Sequence, residues 1–138
     1  MLSAAKRIAV TRTVLDASAL VALLLDEPGK EQVWASVRSG EALMGAANWA
    51  EVVGILGRVG LSAQTLQTTL AELQIEVAPL DQALALAAGL METRTRPLGL
   101  SLGDRCCLAL GERERATLLT TDRAWLKWKG KAKVVCLR

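Results

Sequence analysis

Short runs of β-branched and other apolar residues alternate with longer segments of helical periodicity along the sequence. The runs predict strands at residues 11–15, 42–44, 75–78, 117–120 and 134–137. The intervening segments predict helices at residues 18–25, 30–38, 47–59, 62–73, 81–92 and 101–114. Strands that alternate with helices form a parallel sheet covered on both faces. We therefore expect an α/β fold.

Residues that start and stop helices support these boundaries. Ser18, Asp81 and Ser101 are predicted N-caps, because short polar side chains accept hydrogen bonds from the first free amides of a helix. The sequence DEPG at residues 26–29 stops the first helix. Residues 93–99 contain a proline and a glycine, and we predict a loop there.

The 138 residues suffice for one domain with its own core, and no repeat or linker divides them. We therefore expect a single domain over residues 1–138. The longest apolar stretch, at residues 19–25, is too short to span a bilayer. The first residues, MLSAAKRIAV, lack the apolar run of a signal peptide. These features favour a cytoplasmic protein that is neither exported nor inserted into a membrane.

The sequence contains no histidine, which excludes Ser-His-Asp and Cys-His catalysis and most zinc sites. It also excludes the imidazole pair of metal-free ribonucleases. Cys106, Cys107 and Cys136 have no C-x-x-C spacing, and we expect small buried residues rather than disulfides or zinc ligands. Hydrolytic chemistry must therefore rest on carboxylates, hydroxyls, basic groups and a bound metal.

Four acidic residues are predicted at strand ends or helix starts on one rim of the sheet. Asp16 in VLDASAL and Asp122 in LLTTD follow strands, and parallel sheets bind ligands beyond the carboxyl ends of their strands. Glu51 in ANWAEVVGIL has small residues around it at helical spacing, and Asp104 lies in the first turn of the helix that begins at residue 101.

Each acid also has an ordinary structural interpretation. Asp16 and Asp122 could cap the turns that follow them, Glu51 could be solvated on a helix surface, and Asp104 could stabilise a helix dipole. Carboxylates that converge on one rim, however, repel each other unless a cation neutralises them. Mg²⁺ or Mn²⁺ suits such an all-oxygen site, where the ion can activate water and stabilise charge on a phosphate.

The acidic residues lie in four segments, VLDASAL, NWAE, LSLGDRCCLALG and LLTTDRAW. In their order and spacing, these segments resemble the PIN-domain ribonucleases, and within them the VapC-type toxins. The resemblance covers nearly the whole chain. It implies a three-layer α/β/α sandwich with a central parallel sheet. It also implies endonucleolytic cleavage of RNA that depends on Mg²⁺ or Mn²⁺.

The resemblance assigns the family's four acidic positions to Asp16, Glu51, Asp104 and Asp122. We expect Asp16, Asp104 and Asp122 to bind the catalytic metal, with Glu51 completing the site or positioning water. Some members of the family carry a further acid shortly after the last aspartate. This chain has arginine and alanine there, which predicts a second site that is weak or fills only with RNA.

Three further residues match positions that support the metal site in the family. Ser18 and Thr121 match small hydroxyl positions, and Asn48 matches a polar position before the glutamate. Asp81 is a spare acid nearby, and we interpret it as a helix cap.

The resemblance also implies a homodimer that is neutralised by a small antitoxin, whose C-terminal segment enters the active-site groove. Residues 15–25 and the helix that contains Trp34 could line a groove for a partner helix. By default, however, we expect Trp34 and Trp49 to be core residues.

Basic residues are unevenly spread, with six lysines or arginines and no acid from residue 123 onwards. Lysines of this kind are often simply solvated. A phosphate-binding role is the alternative. The candidates to hold an RNA backbone are Arg94, Arg96, Arg105 and Arg123, together with the other basic residues of the C-terminal end.

Two rival functions remain beside the nuclease hypothesis. A phosphoacceptor or phosphatase could use Asp16 as nucleophile, but such sites usually place a second acid beside or two residues after the first, and this chain has Ala17 and Ser18 there. The other rival is a non-catalytic PIN-like module that binds RNA or a protein.

Overall fold

A five-stranded parallel sheet forms the centre of the fold in the computed structural model, which describes residues 11–138. The strand order is β3-β2-β1-β4-β5, and every pair of neighbours is parallel. The predicted parallel sheet is confirmed. The expectation that the first ten residues are not a signal peptide lies outside the described residues. The strands are β1 (Thr13–Leu15), β2 (Ala42–Gly45), β3 (Glu76–Ala78), β4 (Thr117–Thr120) and β5 (Lys133–Cys136).

Helices connect the strands at nearly all of the predicted positions. Two short 3-10 segments, Arg96–Leu98 and Arg123–Lys127, complete the described part of the chain. The helices are α1 (Ala17–Leu24), α2 (Lys30–Arg38), α3 (Ala46–Arg58), α4 (Ala63–Leu73), α5 (Gln82–Leu90), α6 (Glu92–Thr95) and α7 (Leu102–Glu114).

The central strands are buried on both faces, because successive side chains of a strand point to opposite sides. Val14 of β1 and Leu118 of β4 enter a hydrophobic cluster that α5 and α7 complete. Leu15 and Leu119, the next residues along, enter a second cluster with α1, α2, α3 and α4. The helices therefore cover both faces, and the expected three-layer α/β/α sandwich is confirmed.

The loop predicted at residues 93–99 is wrong, because α6 and the 3-10 segment Arg96–Leu98 occupy most of it. Thr95 is fully buried, and its hydroxyl donates to the backbone oxygen of Met91 at 2.8 Å. Pro97 lies in the first turn of the 3-10 segment, where a missing amide costs nothing. Gly99, at φ 71°, ends the turn in the left-handed conformation that glycine favours.

Two further expectations need correction, and others hold. Asp16 is the N-cap of α1, not Ser18, since the Asp16 side chain accepts from the amide of Ala19. Trp34 is not a core residue, because 44% of it is exposed.

The predicted caps Asp81 and Ser101 are confirmed. Cys106 and Cys107 are free and buried as expected, whereas Cys136 is free and only partly buried.

The strand order positions the candidate site. After β1 the chain adds β2 and β3 on one side, and later adds β4 and β5 on the other side. A sheet whose strand order reverses in this way has a crevice at the carboxyl ends of its central strands. Asp16 directly follows β1, at the centre of that edge. Within residues 11–138, no helix is both long and apolar enough to cross a membrane.

Candidate active site

One cavity at the carboxyl edge of the sheet brings all four predicted acidic residues together. Its volume is ≈ 300 Å³, and Asp16, Glu51, Asp104 and Asp122 line it. The four residues reach it from separate elements, namely the end of β1, the helices α3 and α7, and the segment after β4. The other lining residues are Ala17, Ser18, Val21, Glu27, Ile55 and Arg138.

Asp16 is the most deeply placed of these acids, with 5% of its surface exposed. Its Oδ1 accepts from the Ser18 hydroxyl at 2.6 Å and from the Ala19 amide at 2.9 Å. Its Oδ2 accepts from the Thr120 hydroxyl at 2.7 Å. Burial nevertheless raises the pKa of Asp16 to about 6, and the charge of Asp104 acts in the same direction. The carboxylate is therefore both a helix cap and a buried charge held in one orientation.

Thr120 was not predicted, and its hydroxyl, rather than that of Thr121, contacts Asp16. Thr120 is fully buried, and its Oγ1 also accepts from the amide of Asp122 at 3.1 Å. Thr121 contributes its backbone amide, which donates to Ser18 Oγ at 2.9 Å. The sequence does show a threonine at the end of an apolar strand. Recognising it as the partner of Asp16, however, requires knowledge of how β4 aligns with β1.

Glu51 lies on the exposed side of α3, and Asn48 positions its carboxylate. The Nδ2 of Asn48 donates to Glu51 Oε1 and to the backbone oxygen of Gly103, both at 3.0 Å. Asn48 is 1% exposed, so its side chain joins α3 to the start of α7 from a buried position. Asn48 was predicted as a polar residue, ahead of the glutamate in the sequence, that supports the site.

Gly103 is a second residue that sequence reasoning missed. A Cβ at this position would lie 2.6 Å from Oε2 of Glu51. Glycine therefore leaves the space that the Glu51 carboxylate occupies against the first turn of α7. The available signal was a glycine inside an otherwise good helical pattern, which often marks a close approach.

Asp104 lies in the first turn of α7 and forms a reciprocal cap with Ser101. The Asp104 amide donates to Ser101 Oγ at 3.2 Å, and the Ser101 amide donates to Asp104 Oδ2 at 2.8 Å. Burial raises the pKa of Asp104, and the nearby charge of Asp122 adds to the effect. The capping interpretation and a position in the cavity are thus both correct for this residue.

Asp122 is exposed and begins the 3-10 segment Arg123–Lys127, where its Oδ1 accepts from the Ala124 amide at 3.0 Å. Its backbone amide is held by Thr120, so its position depends on the same hydroxyl that holds Asp16. As in Asp104, one carboxylate oxygen of Asp122 therefore accepts a hydrogen bond from a nearby backbone amide.

The donor chemistry of the cavity fits a hard divalent cation. Every candidate ligand is a carboxylate oxygen, and such oxygens suit Mg²⁺ and Mn²⁺. Burial is the main cause of the raised pKa values of Asp16 and Asp104, and a neighbouring carboxylate adds to each; a bound cation would oppose both effects. Among the described residues, no three acidic or cysteine side chains form a group compact enough to hold an ion.

The four arginines predicted individually to bind RNA, Arg94, Arg96, Arg105 and Arg123, do not line the cavity. Arg94 stacks over the Trp128 ring at 4.6 Å, and Arg96 pairs with Glu92 through Nη2 and Oε2 at 2.6 Å. Arg105 is half-buried on α7, and Arg123 begins the 3-10 segment beside Asp122. The basic residue in the lining is Arg138, which the sequence analysis counted only within a basic end.

Comparisons with known proteins agree with this geometry. A search of curated protein sequences gave no match. Among solved structures, a toxin–antitoxin complex from Klebsiella pneumoniae contains a similar chain, with a TM-score of 0.70, 18% identity, and coverage of 91% of this chain and 98% of that one. DNA-bound VapBC from Salmonella typhimurium gives a TM-score of 0.69 at 12% identity, covering 94% and 100%. VapBC-1 from nontypeable Haemophilus influenzae gives 0.65 at 15% identity, covering 92% and 98%.

At such identities these likenesses concern the fold. The family model described as PIN domain matches residues 13–131 of the sequence. This match includes four of the five strands and all four acidic residues of the cavity. The chain belongs to the PIN domain family.

Proposed function

We propose that this protein is a metal-dependent endoribonuclease of the cytoplasm that acts as the toxin of a toxin–antitoxin pair. The observation that carries the proposal is the convergence of four carboxylates from separate elements on one cavity. PIN domains are a family of nucleases, so family membership supports phosphodiester hydrolysis as the reaction.

In this proposal Asp16, Asp104 and Asp122 hold Mg²⁺ or Mn²⁺, and Glu51 completes the site or orients the attacking water. The bound ion would lower the pKa of a water molecule and stabilise the charge that develops on the phosphate. The absence of a further acid after Asp122, where Arg123 stands, favours one strong ion site over two.

The remaining polar residues of the site would keep the carboxylates in place. Ser18 and Thr120 engage both oxygens of Asp16, and Asn48 holds Glu51 from a buried position. Repulsion between neighbouring carboxylates would otherwise turn them towards solvent. Such preorganisation lowers the reorganisation needed when substrate and ion bind.

A direct test is cleavage of RNA in vitro with Mg²⁺ or Mn²⁺, comparing the parent protein with Asp16→Ala and Asp104→Ala. We expect each substitution to reduce the rate by more than ~100-fold, or about 2.7 kcal/mol of transition-state stabilisation. EDTA should abolish cleavage by the parent. Variants as active as the parent would refute the assignment.

The proposed antitoxin partner finds support in an exposed apolar surface beside the cavity. Leu25, Trp34 and Val53 are 39%, 44% and 37% exposed, and the apolar Val21 and Ile55 continue this surface into the cavity lining. Exposed apolar side chains on α2 and α3, next to apolar residues of the cavity lining, suit one face of an amphipathic helix. The similar chains named above come from a toxin–antitoxin complex and from VapBC structures, which also supports such a partner.

The proposed homodimer finds support on α5. Leu86 and Leu90 lie one turn apart and are 65% and 71% exposed. Large apolar residues that remain exposed together on one helix are typical of an interaction surface. Light scattering of the purified protein would give the oligomeric state, and a purely monomeric protein would remove this part of the proposal.

One observation favours the alternative of a non-catalytic PIN-like module that binds RNA or a protein. In residues 11–138, no three potential ligands already form a compact group. Calorimetric titration with Mn²⁺, with and without RNA, separates the two functions. A nuclease binds the ion at least when RNA is present, whereas a scaffold does not bind it in either case.

A further inference from the structure

We infer that Arg138 is a phosphate-binding residue of this cavity and holds the backbone of the bound nucleic acid beside the carboxylates. The identity of that nucleic acid as RNA rests on the proposed function. The placement of Arg138 and its charge do not depend on it.

The charge of the cavity creates the need for such a residue. Five carboxylates line it, those of Glu27 and the four acids described above, and Arg138 supplies the only positive charge that the described residues contribute to the lining. An incoming phosphate diester is an anion, and carboxylates alone would repel it. A guanidinium at this position offers a planar fork of donors that matches two oxygens of one phosphate.

The fold fixes where Arg138 lies. Strand β5 pairs with β4 up to the register pair Thr120 and Cys136, and the Leu137 amide then donates to the Thr120 backbone oxygen at 2.8 Å. Leu137 also packs against Gly29, where a Cβ would lie 2.6 Å from the Leu137 Cβ. Thr120 therefore has two roles: its hydroxyl orients Asp16, and its backbone oxygen accepts a hydrogen bond from the residue before Arg138.

The side chain of Arg138 is held only loosely. Its Nη1 lies 3.2 Å from the Pro28 backbone oxygen and 3.5 Å from Glu27 Oε1, and its Nη2 lies 3.4 Å from the same Glu27 oxygen. Charged hydrogen bonds are normally about 2.7–2.9 Å. The side chains of Arg138 and Glu27 are also 38% and 35% exposed, so water weakens the pair. A phosphate can therefore replace Glu27 as partner at little cost.

A different role would be that of a counter-ion which neutralises the carboxylates until a metal arrives. In that case the guanidinium should pair with Asp16, Glu51, Asp104 or Asp122. The ion pair that the structure contains is with Glu27, an acid outside that set. This arrangement favours the phosphate-binding role, and the alternative becomes an outcome of the test below.

The test compares the parent with Arg138→Ala, Arg138→Lys and the control Arg38→Ala. Arg38 is an exposed arginine at the last position of α2, so its removal changes the net charge equally at a distance from the cavity. Binding of a fluorescent single-stranded RNA is measured by anisotropy in EDTA at several salt concentrations. Calorimetry gives the Mn²⁺ affinity of each variant, and circular dichroism checks that it is folded.

We expect Arg138→Ala to weaken RNA binding about tenfold and to reduce the slope of log K against log salt by about 0.7, the value for one lost phosphate contact on a single strand. Arg138→Lys should keep the salt slope but recover only part of the affinity, because lysine lacks the fork. Arg38→Ala should match the parent, and Mn²⁺ affinity should stay within about twofold in all variants.

Three results would overturn the inference: a parent that binds no RNA, an Arg138→Ala variant that binds RNA like the parent, or one that gains Mn²⁺ affinity. The last result would identify a counter-ion. A parent that binds RNA through Arg138 but cleaves none with Mg²⁺ or Mn²⁺ would refute the nuclease proposal and leave this inference standing.

Discussion

The hydroxyl of Thr120 donates to Oδ2 of Asp16 at 2.7 Å and joins two residues that are 104 positions apart in the sequence. The same oxygen accepts the amide of Asp122. One buried hydroxyl thus sets the positions of two of the four acids in the cavity. The stability and the proposed activity of the protein should therefore both depend on it.

Replacing Thr120 with valine should lower the free energy of unfolding by roughly 1–3 kcal/mol, because a buried carboxylate oxygen loses its donor. The variant should also raise the pKa of Asp16 further, since this hydrogen bond lowers it. Urea denaturation at neutral pH measures the first effect. Thr121→Val is the matched control, with an expected change within about 0.5 kcal/mol. A larger loss in the control would contradict the assignment.

The pKa of Asp16 predicts how the metal-free protein responds to pH. Its value is about 6 in the folded protein, against an ordinary value of 3.8 for an aspartate, so the folded state binds the proton more tightly. The free energy of unfolding should then fall as pH rises from about 4 to about 6, by up to roughly 3 kcal/mol. Asp16→Asn, which can still cap α1, should be more stable than the parent near neutral pH.

The comparison of the two proteins across pH is the check. The stability advantage of Asp16→Asn should shrink as the pH falls towards 4, because the parent carboxyl becomes neutral there. Thermal melts in EDTA at a series of pH values would show this. A difference that stays constant with pH would mean that ionisation of Asp16 is not its cause.

Gly103→Ala should separate stability from activity. Alanine is favoured over glycine in a helix by up to about 1 kcal/mol, and the nearest atoms to the new methyl are those of the Glu51 carboxylate, at the far end of a flexible side chain. The fold should therefore be as stable as before or more stable, while the displaced carboxylate lowers the RNA cleavage rate at least tenfold, or about 1.4 kcal/mol. Gly89→Ala in α5 has open space around it and serves as control. Equal cleavage by both variants would mean that the position of Glu51 is unimportant.

The reciprocal cap at α7 offers another matched pair. Ser101→Ala and Ser62→Ala each remove a side chain that caps a helix, α7 and α4 respectively, and each should cost about 1 kcal/mol of stability. Only Ser101→Ala removes the acceptor of the Asp104 backbone amide and so loosens the turn that carries this acid, and only it should weaken Mn²⁺ binding and cleavage. Calorimetry and the cleavage assay compare them. Parallel losses in both variants would assign the effect to general destabilisation.

The two tryptophans Trp34 and Trp125 should behave oppositely. Trp125 is fully buried, and Trp125→Ala should cost about 3–5 kcal/mol of stability. Trp34 is 44% exposed, so Trp34→Ala should cost clearly less in denaturation experiments but should weaken inhibition by a cognate antitoxin. Unimpaired inhibition of Trp34→Ala would place the partner elsewhere on the surface.

Local patterns were sufficient to predict the sheet and the four acids of the cavity. Strand and helix periodicities act over a few residues, and the rule that parallel strands end at one edge then gathers Asp16 and Asp122. The loop at residues 93–99 was wrong because a proline and a glycine were interpreted as breakers. Thr95 is instead buried in helical structure, with Pro97 at a tolerated position.

The supporting residues could not be predicted because they depend on register between distant strands. The choice between Thr120 and Thr121 as partner of Asp16 follows from how β4 aligns with β1. Arg138 reaches the cavity only because β5 pairs with β4, and Gly103 matters only because α3 lies against the start of α7. None of these alignments can be recognised from the residue pattern of one segment alone.

The central place of β1 in the sheet has a consequence for synthesis on the ribosome. A nascent chain that has reached β3 already contains Asp16 and Glu51, but β1 still lacks β4 as its second neighbour. The hydroxyl that orients Asp16 and the acid at residue 122 emerge later still. The nascent chain cannot complete this site before its own message has been read through the codon for Asp122. The strand order thereby delays the assembly of the site on the ribosome that makes it.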